Sequence, residues 1–85
     1  MGYNGQVAEL HRYILSLIKS ASGCEVCKIS NATVLDFDHI NPAMKLHNVS
    51  RMVGRYTFAT ILREVAKCRV LCANCHRMHT AEQRK

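Results

Sequence analysis

Two cysteine pairs constrain what this chain can fold into more than any other feature. Cys24 and Cys27 are separated by two residues, and Cys72 and Cys75 repeat the spacing far downstream. One such pair cannot complete a tetrahedral structural zinc site, because that site needs four ligands. We therefore predict that the two pairs share one structural Zn²⁺. A redox dithiol is the alternative, but neither pair lies in the βαβ context that would favour it.

The length of the chain leads us to expect a stabilising metal. A domain of 85 residues buries only about 60% of the surface that its unfolded chain exposes. We expect a single domain over residues 1–85. We find no secretory signal and no apolar run of about 18 residues. Together with five cysteines, this predicts a reducing, cytoplasmic compartment and no membrane partner.

The charge balance indicates a polyanionic partner. Twelve Lys and Arg oppose six Asp and Glu, which gives a formal net charge of +6. Such a surface attracts nucleic acid before any specific contact forms, although a merely soluble basic protein would look the same. The side chains expected to contact phosphates are Lys45, Arg51, Arg55 and Arg77. Three of them lie in residues 43–56, which we interpret as a basic loop over a phosphate backbone or, alternatively, as a solvated loop.

Two segments have helical periodicity, and both are expected to pack their apolar side in the core. The first is residues 6–20, with Asn4 as its candidate N-cap. Its apolar positions are Val7, Leu10, Ile14, Leu17 and Ile18. The second is residues 57–67. Its apolar positions are Phe58, Ile61, Leu62 and Val65.

Two short strands and a final helix complete a small α+β fold. Residues 33–38 alternate as a strand that places Asp36 and Asp38 on one face, and residues 68–71 are predicted to form the second strand. The segment after Cys75 consists of good helix formers. Neighbours on a helix differ by about 100° in direction, so Cys75 can face zinc while His76 points elsewhere. One helix would then carry a zinc ligand, Cys75, and a candidate ligand for a second metal ion, His76.

These stretches together resemble the HNH endonucleases. The matching segments are CEVC at 24–27, DFDHINP at 36–42 and LCANCHRMHT at 71–80. The resemblance spans residues 24–80 and implies a ββα-metal (His-Me finger) domain braced by a four-cysteine zinc, to which residues 6–20 add a helix. It implies that His39 is the general base and that Asp38 and His76 hold a catalytic divalent ion. The implied activity is hydrolysis of DNA phosphodiester bonds, by nicking or double-strand cleavage.

Phosphodiester chemistry suits these residue types. An imidazole titrates close to neutral pH, so His39 can activate water. One carboxylate and one imidazole suit Mg²⁺ or Mn²⁺, although Ni²⁺, Co²⁺ or Zn²⁺ are also compatible. We expect low sequence specificity for DNA, with RNA left open. A chain this small is expected to act as a monomer, as a homodimer or beside a larger partner protein.

The chain departs from the family pattern at the middle Asn, which orients the catalytic His. Lys67 and Cys68 stand near that position, and Asn48 is a candidate replacement from the preceding loop. We interpret Cys68 as a small buried hydrophobe. His79 is either a further metal ligand or an exposed surface residue.

The alternative function is a non-catalytic zinc-binding module that binds nucleic acid. Such a module needs the four cysteines and the basic side chains. It has no use for Asp38, His39 and His76 as a set.

Overall fold

The computed structural model describes residues 5–83, with side chains through residue 82. Asn4, the candidate N-cap, lies outside that range. Within it the helices are α1 (Gly5–Ser22), α2 (Val49–Met52), α3 (Phe58–Val65) and α4 (Ala73–Gln83), the strands are β1 (Leu35–His39) and β2 (Cys68–Cys72), and two 3₁₀ turns cover Ala32–Val34 and Pro42–Met44. The predicted α+β class is confirmed. No helix in the described range is long and apolar enough to cross a membrane.

The two strands form one antiparallel sheet, and its register sets which residues of β1 and β2 lie opposite each other. Leu35 pairs with Cys72 at one end and His39 pairs with Cys68 at the other. The predicted strand of residues 33–38 starts too early. The side chain of Asn31 accepts a hydrogen bond from the Thr33 N–H and caps a 3₁₀ turn. That local bond competes with the strand ladder, so β1 begins at Leu35. At its other end β1 extends one residue beyond the prediction, to His39, which pairs with Cys68.

The core consists of two clusters joined by one aromatic ring. The first surrounds the sheet and the cysteine turns, and its buried members are Cys24, Leu35, Val70, Leu71 and Cys72. The second fills the space between the helices, and its buried members are Leu15, Val49, Met52 and Ile61. Phe37 of β1 packs against both clusters. The sheet is therefore held between the cysteine turns and the helices.

Helix α1 exists where residues 6–20 predicted it, but its buried face differs. Leu10 and Leu17 of the predicted stripe are 55% and 52% exposed, whereas Ala8, His11 and Leu15 are buried. The prediction that Leu10 and Leu17 pack in the core is wrong. The ring of His11 lies 4.7 Å from that of Phe58, centroid to centroid. Contact between His11 and Phe58 is thus one reason for the orientation of α1, and sequence periodicity alone could not show that contact.

Residues 43–56 are not a loop throughout. They contain α2, whose Val49 and Met52 are buried. Lys45, Arg51 and Arg55 are exposed, so the basic side chains face solvent while the apolar ones support the helical core. Four residues are too few to show a helical period, so α2 could not be predicted from periodicity.

Helix α3 is confirmed, with Thr57 as its N-cap. Its Ile61 is buried, as predicted, but Leu62 is exposed and its predicted core role is wrong. Val65 and Phe58 pack at the edge of the helical cluster.

Candidate functional site

The four cysteines of the two pairs meet in one cluster. The sulfur atoms of Cys24, Cys27, Cys72 and Cys75 all lie within 4.8 Å of one another. The Cys27 and Cys72 sulfurs are 3.6 Å apart, close to the roughly 3.8 Å between thiolates on a tetrahedral zinc with bonds of about 2.3 Å. These residues could hold a metal such as zinc.

Backbone amides support both cysteine turns in the same way. The Cys27 N–H donates to the sulfur of Cys24 at 3.5 Å, and the Cys75 N–H donates to the sulfur of Cys72 at 3.4 Å. The first turn needs glycine at Gly23, where φ is +68° and an added Cβ would lie 3.3 Å from a carbonyl oxygen. The Glu25 N–H also bonds the Val70 carbonyl, which ties this turn to β2.

The thiols compete for protons because they lie so close together. Burial opposes ionisation of Cys24, but the backbone hydrogen bonds to its sulfur lower its pKa to about 6. The hydrogen bond with Cys72, together with burial, raises the pKa of Cys75 to about 12. Four thiolates this close repel one another unless a cation lies between them, and a divalent metal that displaces the protons would relieve that repulsion.

Two neighbouring residues of helix α4, Cys75 and His76, point in different directions. Cys75 belongs to the sulfur cluster, whereas the His76 ring lies against the acids of β1. Its Nε2 is 3.2 Å from Oδ1 of Asp38, and its Nδ1 is 3.6 Å from Oδ2 of Asp36. The alternation of β1 places both acids on the same side of the strand.

Arg69 of β2 orients the Asp38 carboxylate. Asp38 and Arg69 are cross-strand partners, and the Arg69 Nε donates to Oδ2 of Asp38 at 3.3 Å. The second oxygen, Oδ1, is the one that faces His76. Arg69 also bonds Glu25 in the first cysteine turn at 3.4 Å. One guanidinium therefore contacts both Asp38 and the first cysteine turn.

His39 lies on the other side of β1, because successive side chains leave a strand on opposite faces. Its side chain is 6% exposed, and its Nε2 lies 2.6 Å from Oε2 of Glu64 in α3. Glu64 is 2% exposed, and its carboxylate also accepts from the Leu46 N–H at 3.0 Å and from the Lys67 ammonium at 2.9 Å. A buried acid with three donors therefore fixes the imidazole.

The charge of Glu64 determines which nitrogen of His39 carries the proton. Burial on its own raises the pKa of Glu64, but the bonds from Lys67, Leu46 and His39, helped by the Lys67 charge, lower it to about 2. An ionised carboxylate only accepts hydrogen bonds, so Nε2 of His39 must be the donor. In the neutral imidazole, Nδ1 then keeps its lone pair and can act as a base.

The contact partner of His39 was missed at the sequence level. The sequence left Asn48 as a candidate for orienting His39, but the side chain that does so belongs to Glu64. One signal was present: Glu64 follows the buried Ile61 by three residues, which places a carboxylate on the apolar face of a helix. Such a residue is expected to be buried with partners.

The remaining candidate side chains differ in how exposed they are. Lys45, Arg51, Arg55 and Arg77 are exposed, and His79 is half-buried on α4. Cys68 lies outside the sulfur cluster. Burial and the nearby charges of Glu64 and Asp38 raise the pKa of Cys68 to about 11. It therefore stays a protonated, partly buried thiol, in keeping with a packing role.

Comparison of the chain with protein-family models, with curated proteins and with solved structures gives no match.

Proposed function

We propose that this protein is a divalent-metal-dependent endonuclease of the HNH type that hydrolyses DNA phosphodiester bonds. In this proposal β1, β2 and α4 form the ββα-metal unit, and the sulfur cluster holds the structural zinc. The observation that carries it is the 3.2 Å approach of the Asp38 Oδ1 to the His76 Nε2. Two atoms that bind one ion at right angles, each at about 2.1 Å, lie about 3 Å apart.

The donor set suits a catalytic divalent ion such as Mg²⁺ or Mn²⁺. Asp38 and His76 supply one oxygen and one nitrogen ligand. A divalent ion bound there would neutralise the charge that develops on the phosphate and on the leaving oxygen. Arg69 keeps the Asp38 carboxylate in one orientation, so Oδ1 remains the oxygen available for the ion.

His39 is the proposed general base. Glu64 holds Nε2, which leaves Nδ1 to take a proton from water. The acid also stabilises the imidazolium that forms once the proton has moved, as a buried carboxylate does in hydrolytic triads. Asp38 and His39 are consecutive residues at the end of β1, and the scissile phosphate would have to reach both.

One observation favours the rival function, a zinc-binding nucleic-acid module without catalysis. The His39 side chain is 6% exposed, and a base must reach its water. A buried His–Glu pair could serve stability alone. The two functions differ in what removal of the imidazole does to activity.

Nicking of supercoiled plasmid by zinc-loaded protein, with Mg²⁺, Mn²⁺, Ni²⁺ or Co²⁺ added in turn, tests the proposal. We expect His39→Ala to reduce nicking by about 10²–10⁴-fold. His47→Ala is the matched control, because His47 is an exposed histidine that bonds the Tyr56 hydroxyl at 2.8 Å, and it should nick at the wild-type rate. If the wild-type protein nicks with none of these ions, the binding module is the correct function.

A further inference from the structure

A cleft between α1 and α2 opens beside the candidate metal ligands. Its volume is about 500 Å³, within the range of roughly 300–1,000 Å³ typical of ligand sites. The apolar side chains of Leu15 and Phe37 line it, and so do Asp36 and His76. Because His76 also contacts Asp38, the cleft leads directly to the centre proposed above.

The walls of the cleft carry positive charge and neutral hydrogen-bonding groups. Helix α1 contributes Arg12 and Lys19, and the segment at α2 contributes Asn48 and Ser50. The Lys19 ammonium lies 5.2 Å from the centre of the Phe37 ring, a cation–π contact between two residues that line the cleft.

The balance of charge in the cleft is positive. Among the described residues that line it, Asp36 is the one carboxylate, and it already faces His76 at 3.6 Å. Two cations and several uncharged polar side chains match a phosphodiester chain, which offers regularly spaced anionic oxygens.

We propose that this cleft binds the sugar–phosphate backbone of a DNA strand, with Arg12 and Lys19 as its phosphate contacts. The inference rests on the proposed function and extends it, because it adds α1 to the substrate-binding surface. The exposed side chains Lys45, Arg51, Arg55 and Arg77 were the phosphate contacts expected from the sequence, and none of these four lines the cleft. Helix α1 is thus a wall of the site as well as part of the core.

The test measures binding without cleavage. A fluorescein-labelled single-stranded DNA of about 15 nucleotides is titrated with zinc-loaded protein in the absence of other divalent ions, and anisotropy is read at several salt concentrations. The test variant is Arg12→Gln with Lys19→Gln. The matched control is Lys28→Gln with Arg63→Gln, two exposed residues outside the cleft. Both variants lose two positive charges.

We expect the cleft variant to bind about tenfold more weakly at moderate salt, with a salt slope lower by about 1.4, because each lost contact to a single strand removes about 0.7. The control should keep nearly the wild-type slope. Equal losses in both variants would overturn the proposal, because they would show that only net charge matters. So would wild-type protein that binds no DNA.

A second variant fills the cleft without changing charge. Ser50→Trp places a large ring on the cleft wall and should weaken DNA binding, whereas Ser30→Trp, exposed and outside the cleft, should not. Wild-type affinity in Ser50→Trp would contradict the assignment. RNA of the same sequence and polyglutamate are the competitors: displacement of DNA by polyglutamate at equal charge concentration would indicate an acidic protein partner instead and overturn the proposal. Binding of labelled RNA of the same sequence by a protein that binds no DNA would do the same.

These outcomes separate the two proposals. If binding depends on the cleft but the protein never nicks plasmid, the nuclease proposal is ruled out and the cleft remains a DNA-binding site. If substitutions at Arg12, Lys19 and Ser50 leave nicking unchanged, the cleft proposal is ruled out and the nuclease proposal remains.

Discussion

Glu64→Gln tests the buried contact that orients His39. Glutamine keeps the shape of glutamate but has one acceptor oxygen, whereas the Glu64 carboxylate receives three donors, from His39, Leu46 and Lys67. In the variant the amide NH₂ must face at least one of these donors. Rotation of the amide cannot satisfy all three groups.

The expected cost follows from the burial of the acid. Breaking a buried charge pair by changing one partner costs about 3–5 kcal/mol. The Lys67 side chain is 35% exposed and stays hydrated, which places the cost at the lower end, about 3 kcal/mol. For a domain of this size that corresponds to a fall in melting temperature of about 12–24 °C.

Urea unfolding at pH 7 with zinc saturating, followed by circular dichroism, measures this cost. The matched control is Glu9→Gln, the same change at an exposed position of α1, which should alter the free energy of unfolding by less than about 0.5 kcal/mol. A loss below about 1 kcal/mol in Glu64→Gln would refute the reasoning, because a neutral hydrogen bond alone contributes that much.

The same variant should also affect activity through the imidazole. A neutral amide stabilises the imidazolium less than the Glu64 carboxylate does, so the proposed base takes up a proton less readily. Glu64→Gln combined with His39→Ala should then nick no more slowly than His39→Ala alone, because both changes remove one function. Additive losses would show that Glu64 acts elsewhere.

Three further outcomes are expected. The stability difference between wild type and Glu64→Gln should shrink as pH falls from about 4.5 to about 2. The pKa of Glu64 is depressed in the folded state, so the stability that the carboxylate contributes is lost as it takes up a proton. Urea unfolding at stepped pH measures this difference, and a constant difference would contradict the prediction. Cys72→Ser should lose zinc and helical structure, because structural zinc contributes roughly 10 kcal/mol or more to the folding free energy. Cys68→Ala, outside the cluster, should keep both. Metal analysis and circular dichroism distinguish the two variants. Arg69→Gln should weaken binding of a divalent ion while zinc content stays at wild-type level, because the substitution frees the Asp38 carboxylate to rotate. Calorimetric titration of zinc-loaded protein with Mn²⁺ tests this. Unchanged Mn²⁺ affinity would show that Arg69 does not position Asp38.

The features that the sequence predicted well are those with short, fixed spacing. The separation within each cysteine pair indicated a shared cluster, and those four sulfurs do come together. The periodicity of residues 6–20 and 57–67 located α1 and α3. The adjacency of Cys75 and His76 indicated two different directions on α4, because the rotation per residue of a helix is fixed.

The features that it missed depend on packing between distant segments. His39 and Glu64 are brought together by the packing of α3 on the sheet, and no local spacing encodes that contact. The rotation of α1 is set in part by contact between His11 and Phe58. Helix α2 has too few residues for a period to appear, and its role in the cleft follows only from where the chain places it.

The central claim is that Asp38 and His76 bind a divalent ion apart from the zinc cluster. Binding of Mn²⁺ to zinc-loaded protein, followed by the loss of the free-ion electron paramagnetic resonance signal, tests it most directly. His76→Gln is compared with His79→Gln on the same helix. We expect one Mn²⁺ per chain in the wild type and in His79→Gln, and at least tenfold weaker binding in His76→Gln. Wild-type protein that binds no Mn²⁺, or equal affinity in His76→Gln, would contradict the claim.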